Sequence, residues 1–245
     1  MKPRQHGSHA SADNTGWAVM NGYLFDIGKV DYHDAHQFQL ACVNYRLLEE
    51  GRPDIFIVTE HPPVFTLGKR GGLDSLTVSQ EYIRDQGVGI VQTERGGDIT
   101  YHGPGQLVVY PIIHLRESKL SIKDYVDLLE DVMISCADDF GVTANRDQRN
   151  RGIWVGNNKI GSIGIRVRHG VTFHGLALNV TLDFEHFGWI QPCGLAGVGV
   201  TSLAKETGCT ILFHEVKDSI ISHLGRVFER KLVPAPSTLI TGEAV

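Results

Sequence analysis

Three apolar runs, 152–155, 159–167 and 171–180, follow one another with only Asn157-Asn158 and the 168–170 triplet to mark the main breaks. Each break reads as a hairpin turn. Neighbouring parallel strands need a connection of about a dozen residues or more, so these runs must pair antiparallel. A doubly wound parallel sheet is therefore disfavoured. No GxGxxG opens a helix after the first strand, and no GxxxxGK[ST] occurs. Further strand-like runs cover 23–27, 55–59, 64–67, 88–92 and 107–113. Apolar residues at helical spacing predict helices over 31–50 (Ala35, Phe38, Cys42, Tyr45, Leu48), 121–140 (Ile122, Tyr125, Leu129, Val132, Cys136, Phe140) and 214–231 (Val216, Ile220, Leu224, Val227), with a shorter one over 78–86. The expected class is α+β, a mixed or antiparallel sheet backed by helices.

Composition narrows the function classes. In 245 residues, 23 Lys+Arg against 28 Asp+Glu leave a net charge of -5, which speaks against a general nucleic-acid binder. No apolar run approaches the ~20 residues of a membrane span. Residues 1–15 are polar, aperiodic and without the apolar core of a secretory signal, so they are expected to be a disordered lead-in. Residues 16–233 are expected to form a single domain, and 234–245 a loosely ordered tail. Four cysteines are too few for a disulfide scaffold in a chain this long. They read as reduced thiols of a cytoplasmic protein.

Three stretches carry candidate chemistry. In 95–106, five of twelve residues are Gly or Pro, and an apolar strand follows at once. Glycines there would let backbone N–H groups approach a ligand, with Arg95, Tyr101 and His102 adding polar or flat contacts; an ordinary turn has the same composition. In 157–166, Lys159 opens a segment with Gly161, Ser162 and Gly164. A lysine is ordinarily a solvated surface charge, but small apolar surroundings would desolvate it and lower its pKa. The two glycines suggest that something packs close against the strand. In 191–199, Cys193 stands between Pro192 and Gly194, where a loop can present a thiol. Cys42 and Cys136 lie on apolar helix faces and read as inert, and Cys209 as structural. A thiol of pKa ~8.5 needs a basic neighbour to react near neutrality, and Lys159 or His102 would serve.

A further run, 173–180, places the small Gly175 and Ala177 on one strand face, leaving room for an extended apolar ligand. The twelve histidines form no HExxH, no CxxC pair occurs, and His169 and His174 are not spaced to converge, so no metal is expected. Gly161-Ser162-Ile163-Gly164 is not a GxSxG elbow.

Together the runs EHPPVFTLG (60–68), RGGDITYHGPGQ (95–106), KIGSIGIRV (159–167), FHGLALNV (173–180) and PCGLAG (192–197) resemble the lipoyl(octanoyl) transferases, in that family's order and over about 140 residues. The resemblance implies a biotin/lipoate protein ligase-like fold: a mixed sheet, a smaller second sheet and surrounding helices. It implies octanoyl transfer from acyl carrier protein to a lysine of lipoyl domains, in the 2-oxoacid dehydrogenases and the glycine-cleavage carrier protein. Cys193 would be the acyl-thioester nucleophile and Lys159 its acid/base partner. The acyl pocket would be lined by Arg95, Gly96, Gly97, Asp98, Ile99, Thr100, Tyr101 and His102, by Ser162, Ile163 and Gly164, and by Gly175, Leu176 and Ala177. Neither cofactor nor metal is implied, and the chain is expected to act as a monomer.

Reference values of ~8.5 for Cys and ~10.4 for Lys favour thiolate plus ammonium in a close pair. Both expected partners are acidic, so an acidic chain must steer them locally. Lys69 with Arg70, and Arg166 with Arg168 and His169, are the basic clusters available. Competing readings are an ATP-dependent lipoate or biotin ligase of the same fold, a Cys193/His102 thiol hydrolase, and a non-catalytic acyl-carrier-binding module.

Overall fold

The computed structural model describes residues 20–191, 198–236 and 239. The first half runs β1 (Met20–Lys29), α1 (Tyr32–Leu47), β2 (Asp54–Glu60), β3 (Val64–Leu67), a 3-10 turn (Leu73–Ser75), α2 (Gln80–Asp85), β4 (Gly89–Gln92), β5 (Ile99–His102) and β6 (Gln106–Ile112). The second runs α3 (Ile122–Asp139), β7 (Asn145–Arg146), β8 (Gly152–Val155), β9 (Asn158–Arg168) and β10 (Val171–Asn179), and continues with a 3-10 turn (Glu185–Trp189), β11 (Gly199–Val200), α4 (Leu203–Thr207), α5 (Phe213–Val227) and β12 (Arg230–Pro234).

Among these residues the large sheet has the order β12-β1-β2-β6-β10-β9-β8-β7, with β11 added parallel to β9. The β1 pairs with β12 and β2 are parallel, and every pair from β2 through β7 is antiparallel. A second sheet, β4-β3-β5, stands beside it. The architecture is therefore the mixed α+β arrangement, and β8, β9 and β10 are the two successive hairpins expected from the turn signals.

Strand alternation sorts the central strands onto two faces. Phe56, Val58, Leu107, Val109, Leu176 and Leu178 join α3 and α5 in one core, whereas Ile55, Ile57, Val108, Tyr110, Ile112 and Phe173 meet α1 in another. Covered on both sides, β2 and β6 read as near-continuous apolar runs. The small sheet has its own core of Phe65, Leu67, Ile99 and Tyr101 with Ile83 and Trp189.

Several elements differ from expectation. The stripe assigned to α1 is rotated: Leu48 is 72% exposed, while Gln39 and Arg46 are buried. Both polar residues have buried partners, Gln39 accepting the His174 N–H (2.8 Å) and Arg46 pairing with Asp54 (3.1 Å). The third helix stops at Val227 rather than 231. Glu229 takes a left-handed backbone (φ 54°), and the chain returns as edge strand β12 beside β1. The expected loose tail is also partly paired, since the Ala235 N–H donates to Leu24 O and Leu239 packs against the α1-side core. Cys42 and Cys136 are sealed in the core, their thiols pushed up to about 12 by burial. Cys209, expected to be structural, is instead exposed after α4.

Asp54 ties the edge of the large sheet together. It is fully buried, takes hydrogen bonds from Arg46 Nε (3.1 Å) and Arg230 Nε (2.9 Å), and so joins α1, β2 and β12. Removing one partner of a buried ion pair leaves the other charge uncompensated, at a cost of about 3–5 kcal/mol. Asp54→Ala should lose stability on that scale in urea unfolding, and Asp54→Asn, which keeps a hydrogen-bond acceptor, should lose less.

Candidate active site

A cavity opens between the α1 side of the large sheet and the 95–102 segment, with about 920 Å³ of empty space including its open mouth. That is within the range of small-molecule sites. Of the residues expected to form an acyl pocket, Arg95, Gly97, Asp98, Ile99, Thr100, His102, Ser162, Ile163, Gly164, Gly175, Leu176 and Ala177 line it, together with Lys159. Two do not. Tyr101 alternates away from His102 on β5 into the small-sheet core, stacked on His186 at 4.9 Å. Gly96 instead donates its N–H to Ile165 O (2.8 Å), fastening the loop to β9.

Lys159 reaches the cavity because β9 is irregular. Ile153 pairs with Gly161 but Trp154 pairs with Lys159, so Ile160 is one residue extra. A bulge of this kind reverses the alternation of side chains. Ile160 thereby enters the α3-side core beside Gly161, whose missing Cβ would lie 2.7 Å from Met133 Sδ. Lys159 turns to the opposite face with Trp154, its Nζ 5.2 Å from the indole ring centroid, a cation–π placement. Gly152 supports the bulge: its φ is +120°, and a Cβ there would lie 2.2 Å from Gly161 O and 2.9 Å from Lys159 Cε. Its N–H donates to the buried carboxylate of Glu130 (2.9 Å).

The glycine-rich stretch is half loop and half strand. Arg95 is buried and pins the loop to β3 through Thr66, with Nε donating to Oγ1 (3.1 Å) and Nη2 to the carbonyl (2.6 Å). At its far end Gly105, with φ +85°, accepts the N–H groups of Val180 and Thr181 and donates to Glu60 Oε1 (2.7 Å). Gln106 then joins both sheets. Its Oε1 accepts from His102 Nδ1 (2.7 Å), and its Nε2 donates to Asn179 Oδ1 (2.9 Å); Asn179 in turn donates to Thr201 O (2.9 Å).

The imidazoles and phenols at the inner end of the cavity are neutral. His102 is held down at about 3 by burial, reinforced by the neighbouring His61 and Arg95. Burial also lowers His61 and His174 and raises Tyr32 and Tyr110. His61 Nδ1 donates to Val30 O (2.8 Å), leaving Nε2 to accept from the Tyr110 hydroxyl (2.7 Å). A buried His102 bonded to Gln106 and held neutral by burial is a weak base. Gly175 is small for a different reason from the one expected: a Cβ would lie 2.1 Å from Val109 O, so the neighbouring strand rather than a ligand excludes it.

The sequence did not mark Tyr32, Val108, Tyr110, Trp154 or Asn179, all of which line the cavity. His174 carried one usable signal, an aromatic polar residue before Gly175 in an apolar strand. Its backbone is left-handed (φ 54°), opposite a stretch of β6 where Pro111 has no N–H to offer. Cys193 and the rest of 192–197 lie outside the described residues. The described chain on the far side, Val198, Gly199 and Val200, lines the cavity, and Val200 pairs with Lys159.

Residues 31–225 match the family described as Lipoyl protein ligase A/B catalytic domain. The chain belongs to that family. Within it, the octanoyltransferase of Desulfotalea psychrophila is 50% identical over 208 residues, covering 84% of this chain and 93% of that one. The octanoyltransferase of Syntrophobacter fumaroxidans is 47% identical over 212 residues, covering 86% and 92%. A bi-partite lipoate protein ligase from Thermoplasma acidophilum superposes with a TM-score of 0.72 at 15% identity, over 91% of this chain and 90% of that one. A lipoate-protein ligase A bound with ATP gives 0.71 at 15% identity, over 91% and 92%. At these identities the structural likeness speaks to the fold, which is the biotin/lipoate ligase-like one.

The buried neutral histidines set a pH dependence. His102 has a folded pKa below its unfolded value, so the unfolded chain binds more protons in between. The stability it contributes is full above about pH 6.5 and is lost as the pH falls towards 3. The Tm of this octanoyltransferase-family chain should therefore drop between pH 7 and 4, and His102→Gln should flatten that slope. Identical slopes in calorimetry would refute the account.

Proposed function

We propose that this chain transfers an octanoyl or lipoyl group from acyl carrier protein to a lysine of a lipoyl domain, through a thioester on Cys193. It is an acyltransferase of protein lipoylation. The observation that carries the reading is the position of Lys159. The bulge in β9 turns it into an acyl-sized cavity, and its backbone pairs with Val200, seven residues after Cys193. Gln191, two residues before Cys193, is fastened by its N–H to Ser75 O (2.9 Å). The sequence around Cys193 is thus held at both ends by fixed structure, and the downstream end is at the cavity.

In the first step the Cys193 thiolate attacks the donor thioester carbonyl, with the Lys159 ammonium stabilising the thiolate. The C–S bond to the carrier breaks, and the departing carrier thiolate takes a proton from Lys159. In the second step the acceptor lysine attacks the acyl-enzyme. Neutral Lys159 takes the amine proton, the new C–N bond forms, and the Cys193 thiolate leaves. One thioester replaces another and then an amide forms downhill, so no ATP is consumed. The fold shared with an ATP-bound ligase leaves this unchanged, because the two octanoyltransferase relatives match at 50% and 47% and the ligase at 15%.

The solved T. acidophilum ligase study includes its E2 lipoyl domain, and we assign the acceptor to the same class. The donor and acceptor dock on basic residues flanking one loop. Lys69 and Arg70 donate their N–H groups to Arg95 O and Gly97 O (both 3.0 Å), while Ile165, next to Arg166, accepts from Gly96. Lys69, Arg70, Arg166 and Arg168 are exposed. We assign the monomer as the acting unit. No helix among the described residues is long and apolar enough to cross a membrane.

Incubation with octanoyl-acyl carrier protein should add one octanoyl mass to the intact chain, and apo-lipoyl domain should discharge it. Cys193→Ala should abolish the adduct. Lys159→Met should slow transfer by about 10²-fold or more. A Cys193→Ala chain that stays active with ATP and free octanoate would establish the ligase reading instead. Reversing Lys69 and Arg70 to Glu should raise the KM for the carrier and weaken its salt dependence; an unchanged KM would remove the docking assignment.

A further inference from the structure

His36 on α1, Glu94 in the loop after β4 and His174 on β10 bring three ligand atoms within 4.8 Å of one another. His174 lines the cavity wall, while Glu94 faces an outer groove beside Arg166 and Arg168. His36 Nε2 lies 3.0 Å from Glu94 Oε1, and His174 Nε2 lies 3.8 Å from Glu94 Oε2. The second distance is too long for a hydrogen bond. His174 is 1% exposed, and its Nε2 is buried with no hydrogen-bond partner. Tyr32 Oη stands 3.4 Å from His174 Nδ1 and can accept a hydrogen bond from Nδ1–H, the tautomer that leaves the lone pair on Nε2. A buried lone pair that faces a carboxylate across such a gap is a place for a cation.

We propose that His36, Glu94 and His174 form a site for a divalent transition metal of the zinc class, held by two imidazoles and one carboxylate. Bonds of ~2.0–2.2 Å put tetrahedral ligand atoms about 3.3 Å apart. His36 and Glu94 already stand near that spacing, and since all three ligand atoms lie within 4.8 Å of one another, movements of up to about 1.5 Å by the partly exposed His36 and Glu94 side chains bring the set to it. The two imidazoles are stacked, 8° from parallel with centroids 5.4 Å apart, so the partly exposed His36 ring must turn to aim its in-plane lone pair at a metal shared with His174. The Arg95 guanidinium opposes a cation here, and the Glu94 charge offsets it. Tyr32 supplies the outer contact that orients a ligating imidazole. The metal would clasp α1 and the 94–95 loop onto β10, against the outer side of the acyl cavity. The site is independent of Cys193.

The test is a Co²⁺ titration of the EDTA-stripped full chain, followed by visible absorption and displacement with Zn²⁺. One equivalent with imidazole–carboxylate bands is expected, without thiolate charge transfer. His36→Ala and Glu94→Gln should each weaken binding by about 100-fold or more, and Cys193→Ala should leave it unchanged. Both ligand variants change partly exposed side chains, and circular dichroism confirms that they fold. No bound equivalent in the wild-type chain, or binding that survives both variants, overturns the site. The acyl-enzyme measurement above is unaffected by either outcome.

Discussion

The amide of Gln106 is the contact on which the site's geometry depends. It accepts from His102 at the end of the small sheet and donates to Asn179 at the end of β10, which donates onward to Thr201. Three segments far apart in sequence are thereby held in register around one cavity edge. Gln106 is 2% exposed and His102 7%, so water offers little substitute for either bond. The adjoining Gly105 reinforces the joint through its bonds to Glu60, Val180 and Thr181.

Electrostatically the cavity has two ends of different character. At the inner end three imidazoles and two phenols are kept neutral by burial, and the fixed charge beside them is the Arg95 guanidinium, which is hydrogen-bonded to Thr66. At the other end the Lys159 ammonium lies over Trp154, beside the strand that follows Cys193. An acyl chain lying along the cavity with its carbonyl near Lys159 matches both environments. Several polar groups at the inner end are paired with protein partners, such as Tyr110 with His61 and His102 with Gln106.

The sequence showed the hairpins of β8, β9 and β10 because turn residues and apolar runs are local signals. It also marked most of the cavity's backbone, because the glycines at 97, 164 and 175 stand out in any reading. It missed Tyr32, Tyr110 and Trp154, which look like ordinary core aromatics until three elements converge on them. Tyr101 was misplaced because the stretch around it reads as loop; once 99–102 is a strand, alternation sends Tyr101 and His102 to opposite faces. The end of α5 was overrun because Arg230 and Lys231 suit a helix as well as a strand, and only pairing with β1 decides between them.

By itself the sequence determined the α+β class, the successive hairpins of β8, β9 and β10 and the residue types available for acyl chemistry, since turn chemistry and hydrophobic period act over a few residues. Which face Lys159 occupies was decided by the tertiary structure alone. Plain alternation puts it with Gly161 towards α3, and only the packing of Ile160 beside Met133 and Ile153 forces the extra residue that turns the lysine to the cavity. That outcome depends on contacts between elements, and no local pattern in the chain encodes it.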